Sequence, residues 1–282
     1  MNRAKMRNMM PDIDPVLIFQ NIFQYQFMQH AFEAGTIIAI VAGIMGYLVI
    51  LRRTAFAAHA YAEIGFAGAA GSVLLGINPL LGLLSGSMLA GVVIAILGNR
   101  ASNRDVEIGS VLAFALGLGL LFLNMYTGYA TEAYSILFGE ILGISSLNVF
   151  ITLIISVIIL AVLAFVYRPI LFASLDEEVA EAKGMHTVLL GAVFMLLLAA
   201  AVSIAIQVSG VLLIFALMVT PAATAVRITP KPVHAIAISV LIALLSTWSG
   251  LLIAFYEPYP VGFFIVSIVF GVYLFVRIVS RR

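Results

Sequence analysis

Long apolar runs separated by short polar connections dominate this 282-residue chain. A helix needs about 17–25 mostly apolar residues to cross the hydrocarbon core of a bilayer. Runs of this kind predict nine spanning helices, with ends placed to within a few residues, at about 31–51, 55–76, 79–98, 108–125, 148–167, 187–207, 210–227, 233–254 and 260–279. The predicted fold class is therefore all-α, a polytopic transmembrane helical bundle of about eight or nine helices.

The composition supports a membrane protein and narrows its chemistry. Hydrophobic residues make up 63% of the chain and charged residues 10%, against about 25% charged residues in an ordinary soluble domain. The formal net charge is +1, so no strong field recruits nucleic acid. Because the chain has no cysteine, a bound metal must use histidine, carboxylate, hydroxyl or carbonyl ligands.

The basic residues predict the orientation of the bundle, since Lys and Arg concentrate in cytoplasmic loops. If the first run ends on the cytoplasmic side, most basic residues and the C-terminus fall on that side. They are Arg52, Arg53, Arg100, Arg104, Arg168, Lys183, Arg227, Lys231, Arg277, Arg281 and Arg282. The exceptions, Arg3, Lys5 and Arg7, precede the first run. We expect residues 1–29 to form an interfacial amphipathic helix or a flexible tail, and residues 30–282 to form the transmembrane domain.

Small residues recur every fourth position in three of the runs. This spacing lets helix backbones approach closely in lipid and so predicts a tightly packed bundle. The three sets are Gly35, Ala39 and Gly43; Gly82, Gly86 and Ala90; and Gly109, Ala113 and Gly117.

The second run carries His59 and Glu63, an imidazole and a carboxylate four residues apart. On a helix both side chains project from one face, one turn apart. Glu63 would lie near the middle of the membrane, where ionisable groups are costly and commonly mark an ion or substrate path. The pair therefore predicts contact with a transported metal ion, the alternative being a protonated Glu63 that bonds only to His59.

Three other carboxylates are candidates for ion binding. Glu33 lies near the outer start of the first run, as a gate, a third ligand or an interfacial charge. Glu132 and Glu140, in the 126–147 connection, would form an acidic extracytoplasmic mouth that attracts cations or contacts a binding protein. The chain has no Walker sequence for ATP, and neither the His-Glu-x-x-His nor the Gly-x-Ser-x-Gly pattern of hydrolases.

Two further segments have distinctive local signals. Ser174 followed by Glu177 matches a capping box, acids fill the next turn, and Gly184 can end the helix. This pattern predicts a short helix at the cytoplasmic surface, as a partner-docking element or a solvated connector. Pro221 interrupts the 210–227 run and predicts a kink or break near Thr220.

The chain resembles a known family in several segments that keep their order and spacing. They are FMQHAFEAG at 27–35, His59 with the glycine-rich stretch after it, LFGEILGIS at 137–145, SLDEEVAEAKG at 174–184 and GVLLIFALMVTPAATA at 210–225. The resemblance covers nearly all of residues 25–280 and is to the membrane permease subunit of the zinc, manganese and iron ABC importers.

The resemblance implies a type II ABC importer permease that forms a homodimer in the cytoplasmic membrane. A cytosolic ABC ATPase subunit would hydrolyse the ATP, and an extracytoplasmic metal-binding protein would deliver the ion. The metal would be a substrate, with no permanently bound cofactor. The segment at about 174–185 would be the coupling helix that contacts the ATPase, through Asp176, Glu177, Glu178, Glu181 and Gly184.

One position departs from the family pattern. Many members carry an aspartate one helical turn before the histidine of the second span, and here that residue is Ala55. The role of His59 follows from the resemblance directly, whereas that of Glu63 follows from its spacing alone. The alternative functions are a permease for a metal chelate or cobalamin, and an ion-gradient-driven secondary transporter.

Overall fold

A computed structural model of the chain describes residues 22–97, 104–125, 141–257 and 259–280. Within these ranges the chain is built from α-helices with one short 3₁₀ turn at Ile141–Gly143. The helices are α1 (Gln26–Leu51), α2 (Ala55–Leu74), α3 (Pro79–Leu97), α4 (Arg104–Met125), α5 (Ser146–Leu175), α6 (Glu177–Ala182), α7 (Thr187–Ile228), α8 (Pro232–Tyr256) and α9 (Val261–Val279).

Every predicted apolar run falls on one of these helices, and the all-α transmembrane bundle is confirmed. Six segments in the described ranges are long and apolar enough to span a membrane, in α1, α4, α5, the first half of α7, α8 and α9. Shorter apolar helices lie at Pro79–Ile94 and Ile214–Ile228. The predicted number of eight or nine spans is thus matched only approximately.

The basic residues of the described ranges gather at one end of the bundle, which we call the basic end. Arg52 follows the end of α1, and its Nη1 donates to Ser174 Oγ in the last turn of α5 at 3.0 Å. At the opposite end, Asn78 Nδ2 donates to Asn148 Oδ1 at 3.1 Å and joins the α2–α3 turn to the start of α5. The helices therefore alternate between these two ends, as the distribution of charges predicts.

Helix α7 contains two segments that run in opposite directions. Phe194, in its first half, lies 5.0 Å below the guanidinium of Arg52. Gly46, in the last turns of α1, packs against Met218 in the second half of α7. Both halves thus approach the basic end of α1, and the chain reverses between them at Gly210, whose φ of 71° and ψ of 169° are non-helical. A positive φ is readily adopted by glycine because it has no Cβ.

The structure contradicts a break at Thr220 and Pro221, whereas a kink there stays a prediction. Gly210 is the residue of α7 with non-helical dihedral angles, and the helix continues through Pro221. Proline has a φ that a helix accepts but lacks an N–H, so the carbonyl oxygen of Leu217 loses its helical partner. Thr224 Oγ1 donates to a different carbonyl oxygen, that of Thr220, at 2.8 Å.

Glycines let the central helices touch backbone to backbone. A Cβ on Gly46 would clash with the carbonyl oxygen of Met218, and one on Gly68 would clash with the carbonyl oxygen of Gly82 and approach Gly86. Close approach of this kind supplies the van der Waals packing that holds helices together in lipid. It fixes α1 against α7 and α2 against α3.

The predicted small-residue stripes are confirmed for the first two sets but not for the third. A Cβ on Gly35 would lie 2.9 Å from Thr247 Cγ2, so the first set packs on α8. Gly82 and Gly86 pack on α2. A Cβ on Gly109 or Gly117 would meet nothing within 4 Å in the described structure, because α4 turns these residues away from its neighbours.

The described part of the N-terminal segment packs on the bundle. Ile22 is fully buried, and the rings of Phe23 and Phe32 lie 5.1 Å apart. Because α1 begins at Gln26, the helical bundle starts slightly before the boundary predicted at residue 30. Residues 1–21, including Phe19, lie outside the described structure, and the division into two segments stays a prediction.

Adding one methyl group at Gly46 tests the backbone contact between α1 and α7. We expect Gly46→Ala to lower the free energy of unfolding by about 1–3 kcal/mol, because a clash with a carbonyl cannot be relieved by a side-chain rotation. Gly109→Ala in α4 is the matched control and should leave stability unchanged or slightly higher. Melting temperatures of the purified variants in detergent provide the measurement, and equal values for the two variants would contradict the packing.

Candidate functional site

The imidazole of His59 and the carboxylate of Glu63 lie side by side on α2. His59 Nε2 is 3.2 Å from Glu63 Oε1, and the side chains are 39% and 23% exposed. Most other positions of α2 are buried, because the helix packs on α3, α4 and α7. Ala55 and Phe56 are also accessible. Together these four residues form a continuous line near the basic end, which we call the open strip of α2.

The two ring nitrogens of His59 have different surroundings. Nε2 faces Glu63, whereas Nδ1 is buried and has no hydrogen-bond partner in the described structure. The ring lies edge-on to Phe215 of α7, with centroids 6.5 Å apart and an interplanar angle of 87°. A neutral imidazole has one donor and one acceptor nitrogen. Phe215 therefore supplies an apolar wall beside the ring, and Nε2 is the nitrogen that faces Glu63.

Glu63 occupies a costly position. It is near the middle of the 20-residue helix α2, about 12 Å along the axis from the start at Ala55 at 1.5 Å per residue. Ionisable groups at such depth usually face a bundle interior or a wet cavity and serve ion pathways. The partial exposure of Glu63 on the open strip fits this pattern better than burial in the core does.

The pair places two atoms of metal-ligating type together, one imidazole nitrogen and one carboxylate oxygen. Zinc at structural sites takes four protein ligands, and sites that exchange their ligands leave positions open. Among the described residues there is no cluster of three or more His, Cys, Asp or Glu that could hold a metal. An ion bound to His59 and Glu63 would complete its coordination with water or with groups from another chain.

The other predicted ion ligands do not join this pair in the described structure. Glu33 is exposed on α1 and forms no ligand cluster with His59 and Glu63. Its role as gate, third ligand or interfacial charge stays a prediction. Glu132 and Glu140, the predicted acidic mouth, lie outside the described residues.

The predicted surface helix is present as α6, but its N-cap differs from the prediction. Asp176 caps the helix, with its side chain accepting from Val179 N at 3.0 Å. Ser174 instead lies in the last turn of α5, where its Oγ donates to the carbonyl oxygen of Ile170. The capping box at Ser174 is therefore wrong, because α5 continues to Leu175 and leaves Asp176 as the first residue between the helices.

Helix α6 presents its acids outward at the basic end. Glu177, Glu178 and Glu181 are exposed, while Ala180 is fully buried against the bundle. Glu181 Oε1 also accepts from Thr187 Oγ1 of α7 at 2.6 Å. The helix ends at Gly184, whose φ is +80°. This small acidic ridge is accessible to a partner on the basic side.

Two residues that the structure brings into contact with His59 or with several helices at the basic end were not predicted to have these roles. Phe215 lies within a continuous apolar run, in which no residue stands out as facing His59. Arg52 contributed only to the prediction of orientation, although its side chain links α1, α5 and α7. The only sequence feature that pointed to this linkage was the adjacent pair Arg52 and Arg53 between the first and second apolar runs.

Comparison with known proteins gives consistent matches along the chain. The family model described as the ABC 3 transport family matches residues 24–280. The chain is 30% identical over 236 residues to the manganese transport system membrane protein MntC of Listeria monocytogenes, covering 83% of this chain and 82% of that protein. It is 32% identical over 207 residues to the manganese import system permease protein ScaB of Streptococcus gordonii, covering 73% and 74% of the two chains.

A solved structure has the same fold. It is PsaBC from Streptococcus pneumoniae in complex with Fab, with a TM-score of 0.82 and 28% sequence identity. The match covers 93% of this chain and 94% of that chain. The likeness therefore extends over the whole described bundle.

Replacing Glu63 with leucine tests whether the carboxylate has a structural role. Because a carboxyl group in mid-membrane costs up to about 3 kcal/mol, we expect Glu63→Leu to have an unchanged or raised melting temperature. Ser203→Ala is the contrast, since the buried Ser203 hydroxyl donates within the bundle and its loss should cost about 1 kcal/mol. A large drop in melting temperature for Glu63→Leu would make the carboxylate a structural group.

Proposed function

The chain belongs to the ABC 3 transport family, and we propose that it is the permease subunit of an ATP-driven importer for a divalent transition metal ion. The observation that carries the proposal is the His59–Glu63 pair, which lies on the open strip of α2 at membrane depth. Relatives named for manganese transport support a metal substrate.

The spacing of the pair suits a single bound ion. Metal–nitrogen and metal–oxygen bonds of about 2.0–2.2 Å put two adjacent ligand atoms about 2.8–3.6 Å apart for octahedral to tetrahedral angles. The separation of His59 Nε2 and Glu63 Oε1 is 3.2 Å. An ion can therefore bind both atoms with little movement of the helix.

The small number of ligands suits transport. Imidazole and carboxylate bind zinc, manganese and iron, and geometry and availability decide among them. A full set of protein ligands would trap the ion, whereas two ligands with exchangeable water allow release. Manganese is the first candidate because of the named relatives. With Ala55 in place of the usual aspartate, the pair offers one carboxylate, so zinc and iron remain in the proposal.

A second copy of the chain would enclose the ion path. The open strip of α2 is uncovered in the single chain, and in a homodimer with two such strips facing each other each protomer would contribute one two-ligand site to a shared path. The same contact would remove exposed polar groups from lipid, which lowers the cost of placing them at this depth. We therefore propose that the permease acts as a homodimer with the ion path along the two strips.

The two ends of the bundle would receive different partners. The acids of α6 are exposed at the basic end, which the positive-inside rule assigns to the cytoplasm. We propose that a cytosolic ABC ATPase docks there and that the C-terminus is cytoplasmic. An extracytoplasmic metal-binding protein would dock at the opposite end, near Glu132 and Glu140. The permease itself carries no nucleotide motif and no resident cofactor in this proposal.

Loss of the imidazole tests the metal site. In proteoliposomes containing the complex with its ATPase and binding protein, we expect His59→Ala to reduce manganese uptake by more than the roughly 10–100-fold typical of outer-shell changes. Zinc and iron uptake measured in parallel identifies the preferred ion. His234→Ala, exposed at the basic end, is the control. Unchanged uptake by His59→Ala would reject the site, and transport of a chelate or cobalamin but not of free ions would favour that alternative.

Charge reversal on α6 tests the docking of the ATPase. We expect Glu177→Lys with Glu178→Lys to reduce substrate-stimulated ATP hydrolysis by at least about fivefold, a typical coupling effect, because both acids face the proposed partner. Asp105→Lys, an exposed acid at the same end on α4, is the matched control. Normal stimulation in the α6 variant would make the helix a simple connector, and uptake without any ATPase would favour an ion-gradient-driven transporter.

A further inference from the structure

Arg52 links three helices at the basic end. Its backbone ends α1, its Nη1 donates to Ser174 Oγ of α5 at 3.0 Å, and its guanidinium lies 5.0 Å from the ring centre of Phe194 in α7. The Ser174 hydroxyl in turn donates to the carbonyl oxygen of Ile170. Phe194 is fully buried, so the arginine reaches well into the bundle.

The chemistry of this contact requires an arginine. A planar guanidinium can donate in its plane while stacking on an aromatic face, which the compact ammonium of lysine cannot do equally well. The cation also lies where α1 and α5 both end. The negative ends of two helix dipoles therefore favour the charge, and Arg52 is held more firmly than an isolated surface arginine.

The same side chain lies between the docking helix and the candidate metal pair. Ser174 precedes Asp176, the N-cap of α6, by two residues. Arg52 precedes Ala55, the first residue of α2, by three residues, and His59 follows one turn later. Elsewhere α1 and α2 contact each other little. The Arg52–Ser174 hydrogen bond therefore joins the end of α5 that carries α6 to the start of α2.

The connection from Arg52 to α2 is a tight turn. Arg53 N donates to Ile50 O at 3.2 Å and Thr54 N donates to Val49 O at 3.0 Å. This is the Schellman pattern, with Arg53 in the left-handed conformation at φ 57°. A turn closed by two backbone hydrogen bonds allows little relative movement of the residues that it joins. A displacement of Arg52 would therefore also displace the first turn of α2.

From this geometry we propose that Arg52 is a positioning residue that transmits movement of α6 to the His59–Glu63 helix. The inference rests on the proposed function, in which an ATPase moves α6. Displacement of the end of α5 would pull Arg52 through Ser174, and the rigid turn would shift α2 along with its metal ligands. Arg52 itself touches neither the ion nor the ATPase in this scheme.

A second route from α6 to the bundle competes with this one. Thr187 Oγ1 at the start of α7 donates to Glu181 Oε1 of α6 at 2.6 Å, and α7 packs on α2. Movement could pass through that contact instead. Variants that break each contact separately distinguish the two routes.

The test compares Arg52→Gln, Ser174→Ala and Thr187→Val in the proteoliposome complex with ATPase and binding protein. The measured quantity is manganese transported per ATP hydrolysed. We expect Arg52→Gln and Ser174→Ala each to lower this ratio by at least about fivefold while ATP hydrolysis and complex assembly persist. The double variant should be no worse than either single variant, because both remove one link. Thr187→Val should transport about as much manganese per ATP hydrolysed as the parent protein does.

Arg227→Gln is the matched control. Arg227 is also at the basic end and stacks on an aromatic ring, Tyr273, at 5.7 Å. The control loses the same charge and the same kind of contact on a different pair of helices. If Arg52→Gln and Arg227→Gln transport the same amount of manganese per ATP hydrolysed, the inference is overturned. It is also overturned if Thr187→Val is the only variant that lowers this ratio. If the Arg52→Gln complex fails to assemble, Ser174→Ala tests the same link, because it removes only the hydroxyl oxygen that accepts from Arg52.

Cysteine labelling gives a readout that a purely structural role would not change. The chain contains no cysteine, so Phe56→Cys reports on the open strip and Val179→Cys on α6. ATP should alter the maleimide labelling rate at both positions in the parent. With Arg52→Gln the change at 179 should remain and the change at 56 should disappear. Persistence of both changes would refute the transmission, whereas a parent that transports no metal would refute the proposed function instead.

Discussion

Close contact between helix backbones is the constraint on which this bundle depends. In lipid, apolar side chains gain little by leaving their surroundings, so helices associate through van der Waals contact and hydrogen bonds. Gly46 against Met218 brings the backbones of α1 and α7 into direct contact, and Gly68 against Gly82 does the same for α2 and α3. Because α2 is held on one side by α3 and on another by α7, the first half of the helix is accessible mainly along its open strip. The polar pair lies on that strip.

The polar pair does not tie α2 to its neighbouring helices by hydrogen bonds. His59 and Glu63 add no hydrogen bonds to neighbouring helices in the described structure, and Nδ1 of His59 has no partner at all. Buried polar networks that stabilise a fold are normally satisfied. Ser87, by contrast, lies fully buried nearby and donates to the carbonyl oxygen of Tyr61 at 3.0 Å. The buried hydroxyls of Ser156, Ser239 and Thr247 also lack a partner in the described structure, so the feature that distinguishes the pair is its position on the open strip and not its unsatisfied nitrogen.

Sequence periodicity predicted the helices well because a membrane imposes their length and apolar character. The path of the chain between helices was harder to predict. Pro221 gave the strong local signal for a break, but Gly210 is the residue of α7 with non-helical dihedral angles and the helix continues through Pro221. The N-cap of α6 is Asp176 and not Ser174 because α5 continues to Leu175, and Ser174 Oγ bonds instead to Ile170 and Arg52. Both errors concern tertiary contacts that local patterns do not contain.

The pair on α2 was predictable for a similar reason, and Glu33 was not. Two residues four apart on one helix share a face whatever the fold, so their proximity follows from the sequence. Whether Glu33 on α1 joins them depends on the packing of two helices that meet mainly at their turn. The periodicity of the sequence does not determine the distance between Glu33 and the pair. Ligand sets within one helix are therefore safer predictions than sets that combine helices.

The turn before α2 shows how one short segment meets two requirements. Helices α1, α2 and α6 end in the same pair of backbone hydrogen bonds. The residue in the left-handed conformation is a glycine after α2 (Gly76) and after α6 (Gly184), but it is Arg53 after α1. A side chain in that conformation costs about 1–2 kcal/mol. Arg53 is exposed, so packing does not require it, whereas a positive charge there helps to fix the orientation of the first hairpin. The residue before it, Arg52, turns inward to α5 and α7. Orientation and helix linkage thus depend on adjacent residues, and a change in the turn alters both.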